Sequence, residues 1–446
     1  MTNDLIKVPS ARRLMSSMRD LGYEFSDAVA EIVDNSIQAQ ANVIQVELKF
    51  DGLDSYLTIS DNGIGMTPSE IKEAMRFGST RDYTENDLGK FGLGLKTSSL
   101  SQCDLLTVSS RKSAQKGRIH SYSWNVPYIS QVDEWEILAI DKNDLLEHVL
   151  SHLESTTGTV VTWEGLSRLT NYQIPTGGRA ANEIKRLTEE LRLSLGTIFH
   201  RYLTGEANAR KVIIFINGEK VAPWDPFCRG EKLTKSVEHF SVDVSLNGKK
   251  AKIKFKPFIL PHQKDFSSNS AHVRAGGLLK WNKQQGFYVY RSGRLLQNGG
   301  WCGLRTSDEH SKLARIMVDI PPGFDELFKV NISKMKINFP SEIKQEVIAQ
   351  LAPILKLADE TYRGYGSASF DEASVYHFEL SHIVEVIEVS LNDLDGRWGL
   401  RPGDVKNVLP KLYESATPSE RRALLRIFKR LSTKKINEER GELVAA

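Results

Sequence analysis

The sequence predicts an α+β fold in three stretches: an α/β domain over residues 1–205, a second α/β domain over 206–365 and a small helical region over 366–446. Three observations predict it. Amphipathic helices and short alternating strands are interleaved over the first ~200 residues, as in a layered sheet-and-helix domain. From Lys211 onward the pattern becomes strand–turn–strand units around Asn-Gly pairs, the strongest short hairpin signal. A Gly/Ser/Ala stretch at 364–369 then reads as a linker to a helical tail. A length of 446 residues agrees with two or three domains.

The first helix is expected between Ser10, a good N-cap, and Gly22, a stop, with Leu14, Met15, Met18 and Leu21 on its apolar face. The second covers 25–39, where Ala28, Ile32 and Asn35 recur at helical spacing, as do Val29, Val33 and Ser36. Alternation over 43–50 and 56–60 predicts two strands. Thr67-Pro-Ser-Glu70 is a capping box with Pro at the first helical position, and it starts a helix toward Phe77. Residues 78–91 are polar and glycine-containing, a loop. Then follow a helix over 93–101, strands over 105–110 and 160–163, and a helix over 184–200. In the second stretch, strand 212–216 turns at Asn217-Gly218. Strands 240–246 and 251–257 flank Asn247-Gly248, 287–296 is a further strand–turn–strand, and 316–320 is a strand. A helix runs from Pro340 to near Tyr362. In the tail, Thr417-Pro-Ser-Glu420 caps a helix whose stripe is Leu424, Phe428 and Leu431.

Composition narrows the function classes. The chain is 40% hydrophobic and 26% charged, ordinary for a globular protein. A net charge of +3 gives no global electrostatic case for nucleic acid, so any such surface is local. The cysteines, Cys103, Cys228 and Cys302, lie far apart and form no CxxC pair, which argues against a structural zinc site or a disulfide framework. The start lacks the apolar core of a secretory signal, and no apolar run approaches the ~20 residues of a membrane span. The expectation is a cytoplasmic protein without membrane contact.

Three glycine- and carboxylate-bearing motifs carry chemistry. Glu31 and Asn35 are i and i+4 on one helix, so both side chains point the same way. An amide oxygen suits Mg²⁺, and a carboxylate one turn away can orient a water as general base. The pair alone reads more readily as a solvated helix face. Asp61 follows a strand and opens Asp61-Asn-Gly63-Ile-Gly65-Met66. It can accept a hydrogen bond from the amino group of adenine, which guanine does not offer. By itself this reads equally as a plain turn. Gly89, Gly92 and Gly94 lead into the 93–101 helix, where free N–H groups bind phosphate and Lys90 and Lys96 add charge. This is not the Gly-Lys-Ser/Thr phosphate loop.

Taken in order and with Gly158-Thr159 before a strand, these motifs resemble the GHKL ATPase superfamily. It includes gyrase-type topoisomerase subunits, the ninety-kilodalton heat-shock chaperones, sensor histidine kinases, MutL and MORC ATPases. The resemblance covers about 160 residues. It implies a Bergerat-type α/β sandwich binding ATP and Mg²⁺, with Glu31 as general base and Asn35 as the Mg²⁺ ligand. Asp61, Gly63, Gly65, Met66 and Thr159 would surround the adenine. Gly89, Lys90, Gly92, Leu93, Gly94 and Lys96 would surround the phosphates. The second stretch resembles a transducer domain, whose basic residue meets the γ-phosphate. Lys334 falls on that position, with Lys336 as the near alternative. Gln38 and Gln40 depart from the acidic residue and glycine of many relatives.

Among these relatives the chain most resembles bacterial MORC/MutL-like ATPases, some associated with restriction and phage defence. A sensor kinase is disfavoured because no histidine-bearing hairpin precedes the Glu31 helix. The length disfavours a topoisomerase, a MutL endonuclease tail or a full chaperone, and the cysteines disfavour a MORC zinc module. The resemblance implies ATP-driven homodimer closure, acting as a DNA-linked clamp. The alternatives are a chaperone-like ATPase with a client or effector protein, and an ATP sensor with little turnover. The basic tail residues Arg421, Arg422, Arg426, Lys429, Arg430, Lys434 and Lys435 would touch phosphates or an effector, or form a solvated face.

Overall fold

The computed structural model describes residues 10–20, 22–77, 94–112, 117–166, 168–169, 176–206, 210–329 and 337–364. The chain to Tyr362 clusters as one compact unit. Its elements begin with α1 (Ala11–Arg19), α2 (Phe25–Gln38), β1 (Val43–Lys49), β2 (Tyr56–Asp61), α3 (Pro68–Met75), α4 (Gly94–Leu100) and β3 (Leu105–Arg111). They continue with β4 (His120–Asn125), α5 (Val126–Val132), β5 (Leu138–Ile140), α6 (Glu147–Ser155), β6 (Gly158–Glu164), α7 (Gly178–Ile198) and α8 (His200–Thr204). Next come β7 (Ile213–Ile216), β8 (Glu219–Lys220), β9 (Lys235–Ser236), β10 (Phe240–Leu246), β11 (Lys249–Ile259), α9 (Asn269–Ala275) and α10 (Lys280–Lys283). The described elements end with β12 (Gly286–Arg291), β13 (Arg294–Asn298), β14 (Ala314–Ile320) and α11 (Ser341–Arg363).

The first sheet has eight strands in the order β5-β4-β3-β6-β2-β1-β7-β8. It is mixed: β1 and β7 are parallel, and the other pairs antiparallel. Its main core lies between one face and the helices. Val29, Ile32 and Val33 of α2 and Leu191 and Leu195 of α7 pack over Ile44, Leu57, Ile59 and Trp163. On β2 the two-residue period puts Asp61 on the face of Leu57 and Ile59, so a carboxylate enters a row of core positions. A smaller cluster of Val149 and Leu153 from α6 with Val160 lies apart from this core, and β2 is buried along its whole length. The capping box on α3 forms as the sequence predicts: Thr67 Oγ1 accepts from Glu70 N at 3.3 Å, and Glu70 Oε2 accepts from Thr67 N at 2.7 Å.

One difference from the sequence reading concerns the Asn217-Gly218 hairpin. It was expected to open the second α/β domain, yet β7 and β8 extend the first sheet, with Val43 through Val46 registered against Ile213 through Ile216. The hairpin itself forms with both turn residues at positive φ, 49° and 79°, the geometry Asn-Gly favours.

The second sheet runs β10-β11-β14-β12-β13, with β9 also on β11. α11 buries Ile343, Val347, Leu351 and Ile354 against Ile253, Phe255, Phe287, Ile316 and Val318. Phe227, Phe258, Tyr288, Tyr290 and Met317 make a separate aromatic cluster. Two mixed sheets with helices packed on them make the α+β architecture that the sequence predicts. The expected tail helix, the basic tail residues and the loop over 78–91 lie outside the described residues.

Candidate active site

α2 supplies the acidic end of the site. Glu31 is buried, at 4% exposure, and Asn35 one turn later is exposed. The start of α4 approaches Glu31 so closely that a Cβ on Gly94 would lie 2.7 Å from Glu31 Oε2. A side chain at residue 94 would therefore make the Glu31 carboxylate shift.

A cation that the sequence reading did not single out completes this end. Arg294 opens β13, immediately after the Ser292-Gly293 turn, and only 3% of it is exposed. Its Nε lies 2.7 Å from Asp34 Oδ2 and 3.0 Å from Oδ1, and one terminal nitrogen lies 3.6 Å from Glu31 Oε1. Burial opposes the charge, but Asp34, Glu31 and Asp27 outweigh it and hold the guanidinium's pKa above its ordinary value. Asp27, on the same helix, is pushed up to about 6 by burial, with Arg294 pulling the other way. A signal was present in the sequence: an arginine in Gly-Arg-Leu-Leu sits where a strand is otherwise apolar, and a charge buried there requires a partner.

The other end of the site is organised by Asp61, also 4% exposed. Its Oδ2 accepts from Ser36 Oγ at 2.9 Å, and its Oδ1 accepts from Gly63 N at 2.8 Å and Thr159 N at 3.3 Å. Burial pushes the Asp61 carboxyl above its usual range, and these three donors oppose the shift. A carboxylate offers about four lone-pair sites, so one acceptor position remains for an outside donor. Ser110, also missed in the sequence, ties the walls together. Its hydroxyl donates to Gly158 O at 2.8 Å, lies 2.9 Å from Thr159 Oγ1 and accepts from Met66 N at 2.8 Å. Gly65 has φ +66°, and a Cβ there would lie 2.1 Å from Arg111 O, so the turn closes against β3 only as glycine. Ser36 follows Asn35 directly, so one helix carries the Glu31 end and the Asp61 end together.

The structure thus brings Glu31 against Gly94, and Asp61, Gly63, Met66 and Thr159 into one network that the Gly65 turn closes. It directs Lys96 elsewhere. That side chain is buried, and its Nζ donates to Ala74 O at 2.9 Å and Arg76 O at 2.7 Å, closing the last turn of α3. Burial lowers its pKa to about 8. Gly89, Lys90, Gly92, Leu93, Lys334 and Lys336 lie outside the described residues. Among the described residues no cluster of three or more His, Cys, Asp or Glu forms a metal cage. No described helix is long and apolar enough to cross a membrane.

Residues 23–159 match the family described as histidine kinase-, DNA gyrase B-, and HSP90-like ATPase. The chain is similar to the DNA mismatch repair protein MutL of Kosmotoga olearia, 46% identical over 48 residues, covering 11% of this chain and 8% of that protein. It is similar to Protein MICRORCHIDIA 5 of Arabidopsis thaliana, 38% identical over 80 residues, covering 16% of this chain and 11% of that protein. It also resembles MutL of Neisseria meningitidis, 38% identical over 94 residues, covering 20% of this chain and 14% of that protein. Each similarity therefore spans only a small part of the relative's length.

Proposed function

Residues 23–159 belong to the GHKL ATPase superfamily, and from that premise we propose that the chain binds and hydrolyses ATP with Glu31 as general base. The observation that carries this reading is the Asp61 network. A buried carboxylate already holding Ser36, Gly63 and Thr159 keeps one acceptor position, which suits the amino group of adenine. Ser36 lies on the helix that carries Glu31 and Asn35, which on this reading would face the phosphates. Asn35 would hold Mg²⁺, which would supply charge that neutralises the phosphates. Glu31 orients a water and takes its proton, and Arg294, 3.6 Å away, holds the carboxylate in position. Lys334 is the proposed cation for charge that builds on the transferring phosphoryl group.

At the level of the whole chain, the proposal is ATP-driven closure of a homodimer that acts as a clamp on DNA. Its support is the similarity to proteins named for DNA mismatch repair, together with a second α/β sheet whose Arg294 bonds Asp34 on the helix that carries Glu31. The test is ATP turnover and oligomeric state of wild type and Glu31→Ala, each with and without duplex DNA. Turnover in wild type and an ATP-bound dimer accumulating in Glu31→Ala are expected. Absence of ATP binding in both overturns the site. Stimulation by a protein partner and none by DNA overturns the clamp.

A further inference from the structure

β11 presents lysines in strict alternation. Lys250, Lys252 and Lys254 are exposed and Lys256 is half-buried, while Ile253 and Phe255 between them point into the core under α11. At 3.3–3.4 Å per residue the row extends over about 20 Å on a rigid strand. The register fixes its neighbours. Ser245, Asp243 and Ser241 of β10 stand opposite Lys250, Lys252 and Lys254 in turn. On the other side, Asp319 of β14 stands opposite Lys254 and Met317 opposite Lys256. The acids on this face are Asp243 and Asp319, and Asp319 is already ion-paired with the buried Arg201. None of the side chains of Lys250, Lys252, Lys254 and Lys256 has an ion pair or hydrogen bond among the described residues.

We propose that this lysine face of β11 is a docking surface for the phosphate backbone of duplex DNA. The inference rests on the reading of the chain as a DNA-linked ATPase, and it assigns the contact to a specific face. Charge complementarity carries it: a row of cations at regular spacing meets a rod that bears a phosphate every 3.4 Å on each strand. Ser241 and Ser245 add hydroxyl donors of the kind that position a backbone without reading sequence. Among the described residues Lys250 through Lys254 and their β10 partners expose no aromatic ring. Single-stranded nucleic acid, which gains from base stacking, is served less well, and so is a protein partner that needs an apolar anchor. The core-facing half of each strand holds the row flat, so the lysines need no folding on binding.

The test uses the full chain with ATP and a fluorescent duplex, titrated at several salt concentrations. Wild type should bind with a steep salt dependence. Neutralising Lys250, Lys252 and Lys254 together to Gln should flatten the slope of log K against log salt by about 2–3, because each lost phosphate contact removes about 0.9. ATP affinity and the unfolding midpoint should hold, since all three side chains are in solvent. Lys356→Gln on α11 is the control and should leave the slope alone. Wild type that fails to bind duplex overturns the DNA-linked reading along with this surface. Duplex binding that the triple substitution leaves unchanged overturns the surface alone. Binding to phosphatidylserine vesicles and not to duplex would assign the lysine face to a membrane instead and refute the proposal.

Discussion

Arg294 offers the sharpest perturbation. It lies on a strand of the second sheet, 260 residues from Asp34 in sequence, and both side chains are almost wholly buried. Arg294→Met keeps much of the stem volume and removes the charge. Asp34 then loses a 2.7 Å ionic contact and Glu31 a 3.6 Å one, in a place water hardly reaches. Breaking one side of a buried pair typically costs about 3–5 kcal/mol, because the remaining charge is left desolvated. Against a total stability of roughly 5–15 kcal/mol, that is a large shift in the urea midpoint. Asp34→Asn should relieve part of it, so the double variant should cost less than the sum of the singles by about 1–3 kcal/mol. The catalytic readout is separate. Without the guanidinium Glu31 loses the 3.6 Å contact that orients it, so turnover should fall. Arg294→Lys, which keeps charge without the planar fork, should recover only part of that loss. A cost below about 1 kcal/mol with strict additivity refutes the ionic coupling. Unchanged turnover refutes the positioning of Glu31.

The remaining predictions concern the same helix and its neighbours. Gly94→Ala places a Cβ 2.7 Å from the flexible end of Glu31, so the carboxylate swings aside. Stability should barely change while turnover falls by roughly a hundredfold, the scale of a 1 Å misplacement, and unaltered turnover would separate Glu31 from the chemistry. Asp61→Asn turns one acceptor toward a donor it cannot satisfy, so calorimetric titration should show ATP affinity lower by about 1–3 kcal/mol, and an unchanged affinity removes the adenine role. Asp27 holds its proton up to about pH 6 in the folded chain, against 3.8 for the free group. Wild type therefore loses stability as pH rises from about 4 to about 6. Asp27→Asn should be more stable at pH 8 by at most ~3 kcal/mol and show no advantage near pH 3, and an equal gain at both pH values excludes this origin.

What the sequence disclosed, and what it concealed, follows from the range of each interaction. The α3 capping box, the Asn-Gly turns and the periodicity of α2 are local, so the chain states them directly. Strand 213–216 was visible as a strand, but its sheet was not. Its partner Val43 lies in a distant part of the chain, and an apolar run does not say which edge it joins. The active end divides in the same way. Glu31, Asn35 and Asp61 are proposed from motif spacing, whereas Ser110 looks like an ordinary polar strand residue until Met66, Gly158 and Thr159 converge on it. Lys96 shows the converse, since a lysine near a glycine turn suggested phosphate, but the α3 carbonyls lie within its reach. Yet the residues with the largest consequences share one legible trait. Asp34, Asp61, Lys96 and Arg294 each put a charge where the local pattern calls for burial. A charge in a core position raises the free energy of its own element, so it persists where something distant compensates it. In this chain the compensation is mutual for Asp34 and Arg294, which ties the second sheet to the helix bearing the proposed base. Any rearrangement of that sheet must break or carry with it the contact beside Glu31, and this gives nucleotide chemistry and domain geometry a shared set of atoms through which to couple.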